Sequence, residues 1–447
     1  MADERLHTTL AALVNGRVRH GIYKPLDTFG SGTRVLKMGL QYAEDRIGPQ
    51  DMGRTQLSQG EIQRFRVHEG DLLFSRTSMM SEGAGKCSIA VAHSEAFVFD
   101  GNILCVTLDG IAADPAFYYY YFRSPAGRQA IAEIIAGTQS RSLSSSSLAD
   151  ISLPHPPLPE QRAIAHILGT LDNKIELNRR MNDTLEAMAR AIFKSWFVDF
   201  DPVRAKAESR PGGTGLPKRI ADLFPDRFDD SDLGEIPEGW EVSNIGEIAD
   251  VIDCLHSKKP DRKAEGLPLL QLANIRNDGL IDMQDTYLID EADYRKWISR
   301  MEAMPGDCVV TNVGRVGAAA QMPAGQRAAL GRNMTGVRCK QAFPYPTFLI
   351  ECLLSKAMRE EIVQKMDSGT ILDALNVRNI PKLRFVRSPK GVVRRFEELA
   401  RPFRAQMERH LAESRTLAAL RDTLLPKLIN GEIRVRDPAR FLEAVVV

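Results

Sequence analysis

Apolar residues recur at Ile164, Ile167, Leu171, Ile175, Leu185, Met188 and Ile192, with Asn178 and Asn182 filling two gaps in the stripe. Steps of three and four place all nine on one helix face of coiled-coil character. Pro159 followed by Glu160 suits a helix start, where a missing N–H is harmless and a carboxylate meets the positive end of the dipole. The pattern predicts a rod over residues 158–201, roughly 60 Å long at about 1.5 Å per residue. The stripe returns 232 positions later at Phe396, Leu399, Phe403, Met407, His410, Ser414, Leu417, Leu420 and Leu424. His410 and Ser414 stand at the same two polar places. The chain therefore holds two copies of one long helix, the second expected over 391–436.

Residues 1–157 follow a different pattern. A short helical stretch (Leu6, Leu10, Leu13) gives way to strand-like runs bounded by turn formers, such as RVLKMGL, GDLLFSR and CSIAVAH. A helical section from Phe117 to Ile135, the polar loop GTQSRSLSSSSLAD and the extended ISLPHPPLP lead into the rod. Residues 202–239 are rich in Pro and Gly and weakly periodic, as a linker would be. Residues 240–390 then repeat the first globule. Gly-Asp heads an apolar run at 70–71 and again at 306–307; Asn102, Pro115, Phe117 and Ser124 return as Asn333, Pro346, Phe348 and Ser355, all 231 positions on. Gly137-Thr138 returns as Gly369-Thr370, 232 positions on. The predicted order is globule, rod, linker, globule, rod and a tail at 437–447.

The fold class this implies is α+β: two globules of mixed α/β fold separated by two long helices. Neither helix can bury its apolar face alone. An antiparallel coiled coil is the expected solution, with one globule at each end and an internal pseudo-two-fold repeat. Leu171, Ile175, Asn178, Asn182 and Leu185 would meet Phe403, Met407, His410, Leu417 and Leu420. Polar groups inside such a seam lower stability and fix register; the alternative is that they face a partner.

Composition narrows the class. A hydrophobic share of 43% in 447 residues suffices for two or three packed domains. No apolar run approaches a membrane span and the N-terminus lacks a signal-peptide pattern, so a cytoplasmic chain without membrane contact is expected. Six scattered cysteines without a CxxC pair suggest neither a metal site nor a disulfide framework. The net charge of +1 is uninformative until it is placed. From Cys308 to Ile350 there are five basic residues and no acid, and from Ala374 to Phe396 seven and no acid. A one-signed surface can track phosphates; the alternative is a solvated face balanced by acids elsewhere.

Catalytic motifs are missing. SEGAGKC at 81–87 lacks the first glycine and the final Ser/Thr of a phosphate loop, and GSGTRV at 30–35 lacks the third glycine of a dinucleotide fingerprint. Pro225-Asp226 with Asp261-Arg262-Lys263 is a poor match to a nuclease triad, and HPPL at 155–158 has the wrong first and last residues for an amino-methyltransferase motif. Binding without catalysis is the simplest account.

Residues 153–208, LPHPPLPEQRAIAHILGTLDNKIELNRRMNDTLEAMARAIFKSWFVDFDPVRAKAE, closely resemble a signature of the specificity subunits of type I restriction-modification enzymes, and LAALRDTLLPKLINGEIRV at 417–435 resembles the end of the second conserved helix. The resemblance spans nearly the whole chain, although the second rod lacks the EQ and NKIELN wording of the first. It implies two target-recognition domains, each reading one half of a split double-stranded DNA sequence. It also implies two methyltransferase subunits carrying S-adenosylmethionine, and restriction subunits driven by ATP and magnesium; no cofactor is expected on this chain. Base reading needs polar or guanidinium groups on loops held by rigid strands. The candidates are Arg76, Thr77, Ser78, Lys86, Gln139, Arg141 and Ser142 in the first globule, and Thr311, Asn312, Arg315, Thr370 and Asn376 in the second. Lys258, Lys259 and Arg262 suit phosphate. A protein–protein scaffold with two divergent binding domains is the competing class.

Overall fold

A computed structural model describes residues 7–25, 29–78, 83–135, 141–210, 212–366 and 373–445. Gln139 and Thr370 lie outside these residues. The chain divides into two units, Met1–Ile175 with Thr416–Val447, and Glu176–Arg415. Each unit holds one globule with a portion of both rods, so the compact units cut across the long helices.

The rods are helices of 40 residues each, Leu158–Phe197 and Lys390–Ile429. Both end before the expected boundary. The first stops where Phe200 takes a left-handed backbone (φ 56°), and a new helix, Asp201–Ala207, starts with Pro202 in its first turn. The second stops at Asn430-Gly431, where Gly431 has φ 75°, a conformation glycine adopts without penalty. The tail carries a further helix, Pro438–Val445.

Within each unit the rods run antiparallel. In the first, Ile164 and Leu168 share a core with Leu425, Leu428 and Ile429, and Asp172 meets Arg421 at 2.7 Å. In the second, the Asn178 amide donates to Glu413 (2.8 Å) and Ser414 (3.3 Å), and the Asn182 amide donates to the Met407 carbonyl (3.1 Å). The Asn182 oxygen lies 2.8 Å from His410 Nδ1, and Phe193 packs on Phe396. Asn182 and His410 therefore hydrogen-bond each other across the seam. The apolar stripe is less uniform than its spacing suggests. Met407 is buried, Leu171, Ile175, Leu185, Phe403 and Leu417 are half-buried, and Met188, Leu399 and Leu420 are exposed. A rod that also carries a globule buries a second face, and Ala165, Leu168, Ala189 and Phe193 do that work beside the expected stripe.

In the first globule a five-stranded sheet runs in the order Arg19–His20, Ile103–Val106, Leu72–Ser75, Cys87–Ala90, Arg46–Ile47, beside a three-stranded sheet of Gly53–Thr55, Phe29–Leu36 and Phe97–Phe99. The run RVLKMGL divides at Lys37, which starts the helix Met38–Ala43. The predicted helical section is two helices. Asp114 caps Pro115–Arg123 by accepting the Phe117 N–H (2.9 Å), and Ser124 ends it and caps Pro125–Ile134. All of Tyr118, Tyr119, Tyr120 and Tyr121 are buried, where helical spacing alone would have placed two in the core. This helix is covered on every side, so none of the four is left to stack on a base.

The second globule repeats this order in two four-stranded sheets, one of Ala249–Asp253, Met334–Cys339, Cys308–Thr311 and Ala319–Gln321, the other of Tyr287–Ile289, Leu267–Leu270, Ala328–Leu330 and Glu302–Ala303. Its helices Pro346–Leu354 and Lys356–Lys365 meet at Ser355, the counterpart of Ser124. The Gly-Asp turns also match. Gly70 and Gly306 have φ 85° and 87°, while Asp71 and Asp307 accept the N–H groups of His68 and Met304. The linker is more ordered than expected: Phe224 and Trp240 pack with Trp196, Phe197 and Phe200 of the first rod's end, and Phe228–Ser231 pairs with Gly234–Pro237. Burial of each such ring contributes roughly 1.5–3 kcal/mol.

Candidate nucleic-acid interface

In each globule the loop after the Gly-Asp strand is shaped by a hydroxyl at the strand's last residue. Ser75 donates to the Gly83 carbonyl (2.6 Å) and accepts the Lys86 N–H (2.9 Å); Thr311 donates to the Arg315 carbonyl and accepts the Ala318 N–H (3.1 Å). A glycine closes both loops against a helix. A Cβ on Gly85 would lie 2.3 Å from Ile131, and one on Gly317 would lie 3.0 Å from Ile362, the residue 231 positions after Ile131.

The residue that follows the hydroxyl is held by the same backbone bonds in both halves. Arg76 N–H donates to the Asn102 carbonyl and Asn312 N–H to the Asn333 carbonyl, both at 2.8 Å; the carbonyls of Arg76 and Asn312 accept from Leu143 and Leu375. Here the two globules diverge. The Asn312 side chain turns inward, donating to the Leu375 carbonyl (2.9 Å) and accepting from Thr335 Oγ1 (2.9 Å). Arg76 points to an exposed ring: its Nη1 donates to Tyr23 OH (3.0 Å), and its buried Nε has no partner among the described residues.

The predicted residues therefore divide by what their side chains touch. Thr77–Ser78 pairs antiparallel with Arg141–Ser142, which joins the two loops singled out in the first globule. Thr311 and Asn312 are corrections: both are buried and commit their polar atoms to the scaffold, because each ends a core strand where unpaired groups are costly. Lys86 and Asn376 are also engaged internally. The Lys86 ammonium donates to the Tyr42 carbonyl (2.6 Å) and pairs with Asp45 (3.1 Å), and Asn376 caps the turn Val377–Lys382. Arg315 is exposed but its guanidinium donates to Ile275 O (2.6 Å) and to Asn277. Lys258, Lys259 and Arg262 are exposed on one loop, with the Lys259 ammonium 3.8 Å above the Tyr287 ring.

Two clusters were not singled out from the sequence. In the first globule Arg17, His20, Tyr23 and Arg76 share one face. Tyr23 is 65% exposed and its hydroxyl donates to the Gly101 carbonyl, while His20 Nε2 lies 3.1 Å from Ser145 Oγ. Burial first, then Arg76 and Arg17, lower the His20 pKa below the ordinary histidine value. In the second globule the turn Gly331-Arg332-Asn333, with Asn333 left-handed at φ 66°, presents exposed Arg332 beside Lys259, Gln271 and Trp297 around a recess of about 180 Å³. The corresponding turn of the first globule is Asp100-Gly101-Asn102, over which Tyr23 lies; a Cβ on Gly101 would strike the ring at 2.2 Å. Each half thus offers a cation with an aromatic or amide group at the same turn, in different chemistry.

The basic runs are partly balanced by acids elsewhere. Arg338 pairs with Asp307 (2.6 Å), Arg384 with Glu361 (3.0 Å), Arg387 with Glu241 and Glu247, and Arg395 with Glu398. Burial pushes the thiols of Cys87, Cys105, Cys254, Cys308, Cys339 and Cys352 upward, the last two to about 12, so none is a ready thiolate. Asp253, Cys254 and His256 bring three donor atoms within 4.8 Å, but the Asp253 carboxylate already faces His256 (2.8 Å) and Arg300 (3.4 Å). Among the described residues no helix is long and apolar enough to cross a membrane.

Comparison with known proteins adds the following. The profile of the type I restriction modification DNA specificity domain matches residues 30–187. The type I restriction enzyme MjaIX specificity subunit of Methanocaldococcus jannaschii is 25% identical over 403 residues, covering 88% of this chain and 87% of its own. The HindI specificity subunit of Haemophilus influenzae is 25% identical over 418 residues, covering 82% and 87%. A crystal structure of the S subunit from M. genitalium shares the fold, with TM-score 0.57 at 15% identity and 95% of both chains covered.

Proposed function

We propose that the chain is a DNA-specificity subunit of the type I restriction-modification family, whose domain profile matches residues 30–187 and whose specificity subunits are 25% identical to it, and that each globule reads one half of a bipartite, gapped duplex-DNA target. The observation that carries this is the divergence at one repeated place. The turn and loop after the Gly-Asp strand are held by the same backbone bonds in both halves, yet one half presents Arg76, His20 and Tyr23 and the other Arg332, Lys259 and Asn333. A shared frame with unlike side chains suits two readers of unlike half-sites. Guanidinium and amide groups supply base-edge contacts, and the ammonium groups hold phosphate.

In this reading the paired rods set the unread spacer and dock two methyltransferase subunits, with restriction subunits joining in the full assembly. S-adenosylmethionine, ATP and magnesium belong to those partners, and this chain takes no part in the covalent chemistry. It works in the cytoplasm, where the DNA is. Long-read methylation mapping of cells carrying this chain with its neighbouring genes, against the same cells lacking it, is the test. A split adenine-methylation motif should vanish on deletion. Methylation that survives deletion would overturn the proposal in favour of a scaffold without sequence readout.

A further inference from the structure

Each globule meets the rods through one buried polar contact at the same repeat position, and the chemistry of that contact is opposite in the two halves. In the first unit Tyr120 OH donates to Asp172 Oδ2 (2.7 Å), and Arg421 Nη1 donates to the other oxygen (2.7 Å). Glu351 lies 231 positions beyond Tyr120 and Arg404 lies 232 beyond Asp172. In the second unit these two meet: Arg404 Nη1 donates to Glu351 Oε1 (3.2 Å), with both side chains 3% exposed. The remaining Arg404 donors reach the Gly279 carbonyl (2.6 Å) and Gln321 Oε1 (3.2 Å). Position is kept while the acid has moved from rod to globule.

A second contact differs in the same sense. The Gln161 amide oxygen of the first rod accepts the Asp114 N–H at the start of Pro115–Arg123 (2.8 Å). At the start of Pro346–Leu354 the job falls to Glu397 of the second rod, which accepts from Thr347 (3.2 Å) and Phe348 (3.0 Å). Seating the second globule on the first globule's site would press Glu351 against Asp172. The reverse exchange would press Asp114 against Glu397. At the first site the two carboxylates would have to share the single guanidinium of Arg421, which Asp172 already holds, and two buried carboxylates so close repel strongly and are hard to keep both ionised.

We propose that Tyr120–Asp172 and Glu351–Arg404 are a chemical key that seats each globule only on its own rod site. The two junctions look alike in backbone and helix order, so without such a key a repeated chain could seat either globule at either site. The key acts on positioning and does not depend on what the globules bind.

The test is thermal unfolding of the full chain carrying Tyr120→Glu, Tyr120→Gln, Asp172→Asn, or Tyr120→Glu with Asp172→Asn. Tyr120→Glu recreates the wrong pairing and should lower Tm by about 5 °C or more. Tyr120→Gln removes the same ring without the charge and should lose less than half as much. Asp172→Asn should restore most of the Tyr120→Glu loss, because the new carboxylate then takes Arg421. The Tyr120→Glu deficit should shrink between pH 8 and pH 5, as one of the two carboxylates takes a proton, while that of Tyr120→Gln stays constant. Equal losses for Glu and Gln, a double variant no better than the sum of its singles, or a pH-independent deficit would each overturn the key. Should Tyr120→Glu fail to fold, recovery of a folded chain by Asp172→Asn remains the deciding result.

Discussion

Arg332 and Lys259, proposed above to face DNA, show how an exposed cation is set by the turn that carries it. Arg332 precedes Asn333, whose backbone is left-handed, in the turn between Ala328–Leu330 and Met334–Cys339, and Lys259 lines the same recess from another loop. Replacing both by Ala should weaken binding to cognate and unrelated duplexes alike, and reduce the salt slope of log K by about 1 for each phosphate no longer engaged. Titration at several salt concentrations checks this; an unchanged slope would remove them from the interface. His20 gives a pH signature. Its pKa is lowered by burial, Arg76 and Arg17 in the free chain. Phosphate nearby would favour the charged ring and raise that pKa, so binding takes up a proton and tightens as pH falls from about 7.5 to about 6. The increment should vanish in His20→Asn. The place of Arg76 at the head of the loop was legible in the sequence because it follows a strand and a Gly-Asp turn. Thr311 and Asn312 occupy the same motif, but their side chains turn inward, and no local pattern distinguishes the two outcomes. Tyr23 and His20 gave no signal, since only pairing of Arg19–His20 with Ile103–Val106 brings them to the Arg76 loop.

At the scale of elements the rods were the most legible part, because nine residues at helical spacing recur in one register. Their seam in the second unit depends on polar residues as well as apolar ones. Asn182 holds both Met407 O and His410, so Asn182→Ala strands buried groups and should cost about 1–3 kcal/mol in denaturant unfolding. Met407→Asp buries a charge without a partner and should cost about 3–5 kcal/mol, enough to part the helices there. An exposed stripe member is the contrast: Leu420→Ala should change stability by less than about 0.5 kcal/mol. Spacing placed Leu420 and Met407 on one face; burial separates them, since a straight helix drifts from its partner and the globules claim an adjoining face. The missing EQ in the second rod also has an internal explanation. Gln161 is fully buried beneath the first globule, and Glu397 does the same work in the second.

For the whole molecule, modularity is the consequence that matters. Exchanging residues 1–157 for the corresponding globule of a relative should change one half of the methylated motif and leave the other, as read by methylation mapping. A change in both halves would show that the globules do not read independently. The donor globule should work best when it carries a hydrogen-bond donor without negative charge at the Tyr120 position, because Asp172 stays behind on the rod. What the sequence determined by itself was the order of parts, the duplication and the two long helices. Periodicity and internal repeats are properties of the chain alone, and the helices follow from them, although which members of the stripe are buried does not. Only the tertiary structure decided which polar residues face out. Whether a Thr or Asn beside a strand clamps a loop or meets solvent depends on donors and acceptors far away in the chain, and on which of them are already satisfied. The exchange of Tyr120–Asp172 for Glu351–Arg404 was decided at the same level, because a charge acquires its meaning from the group folding places against it.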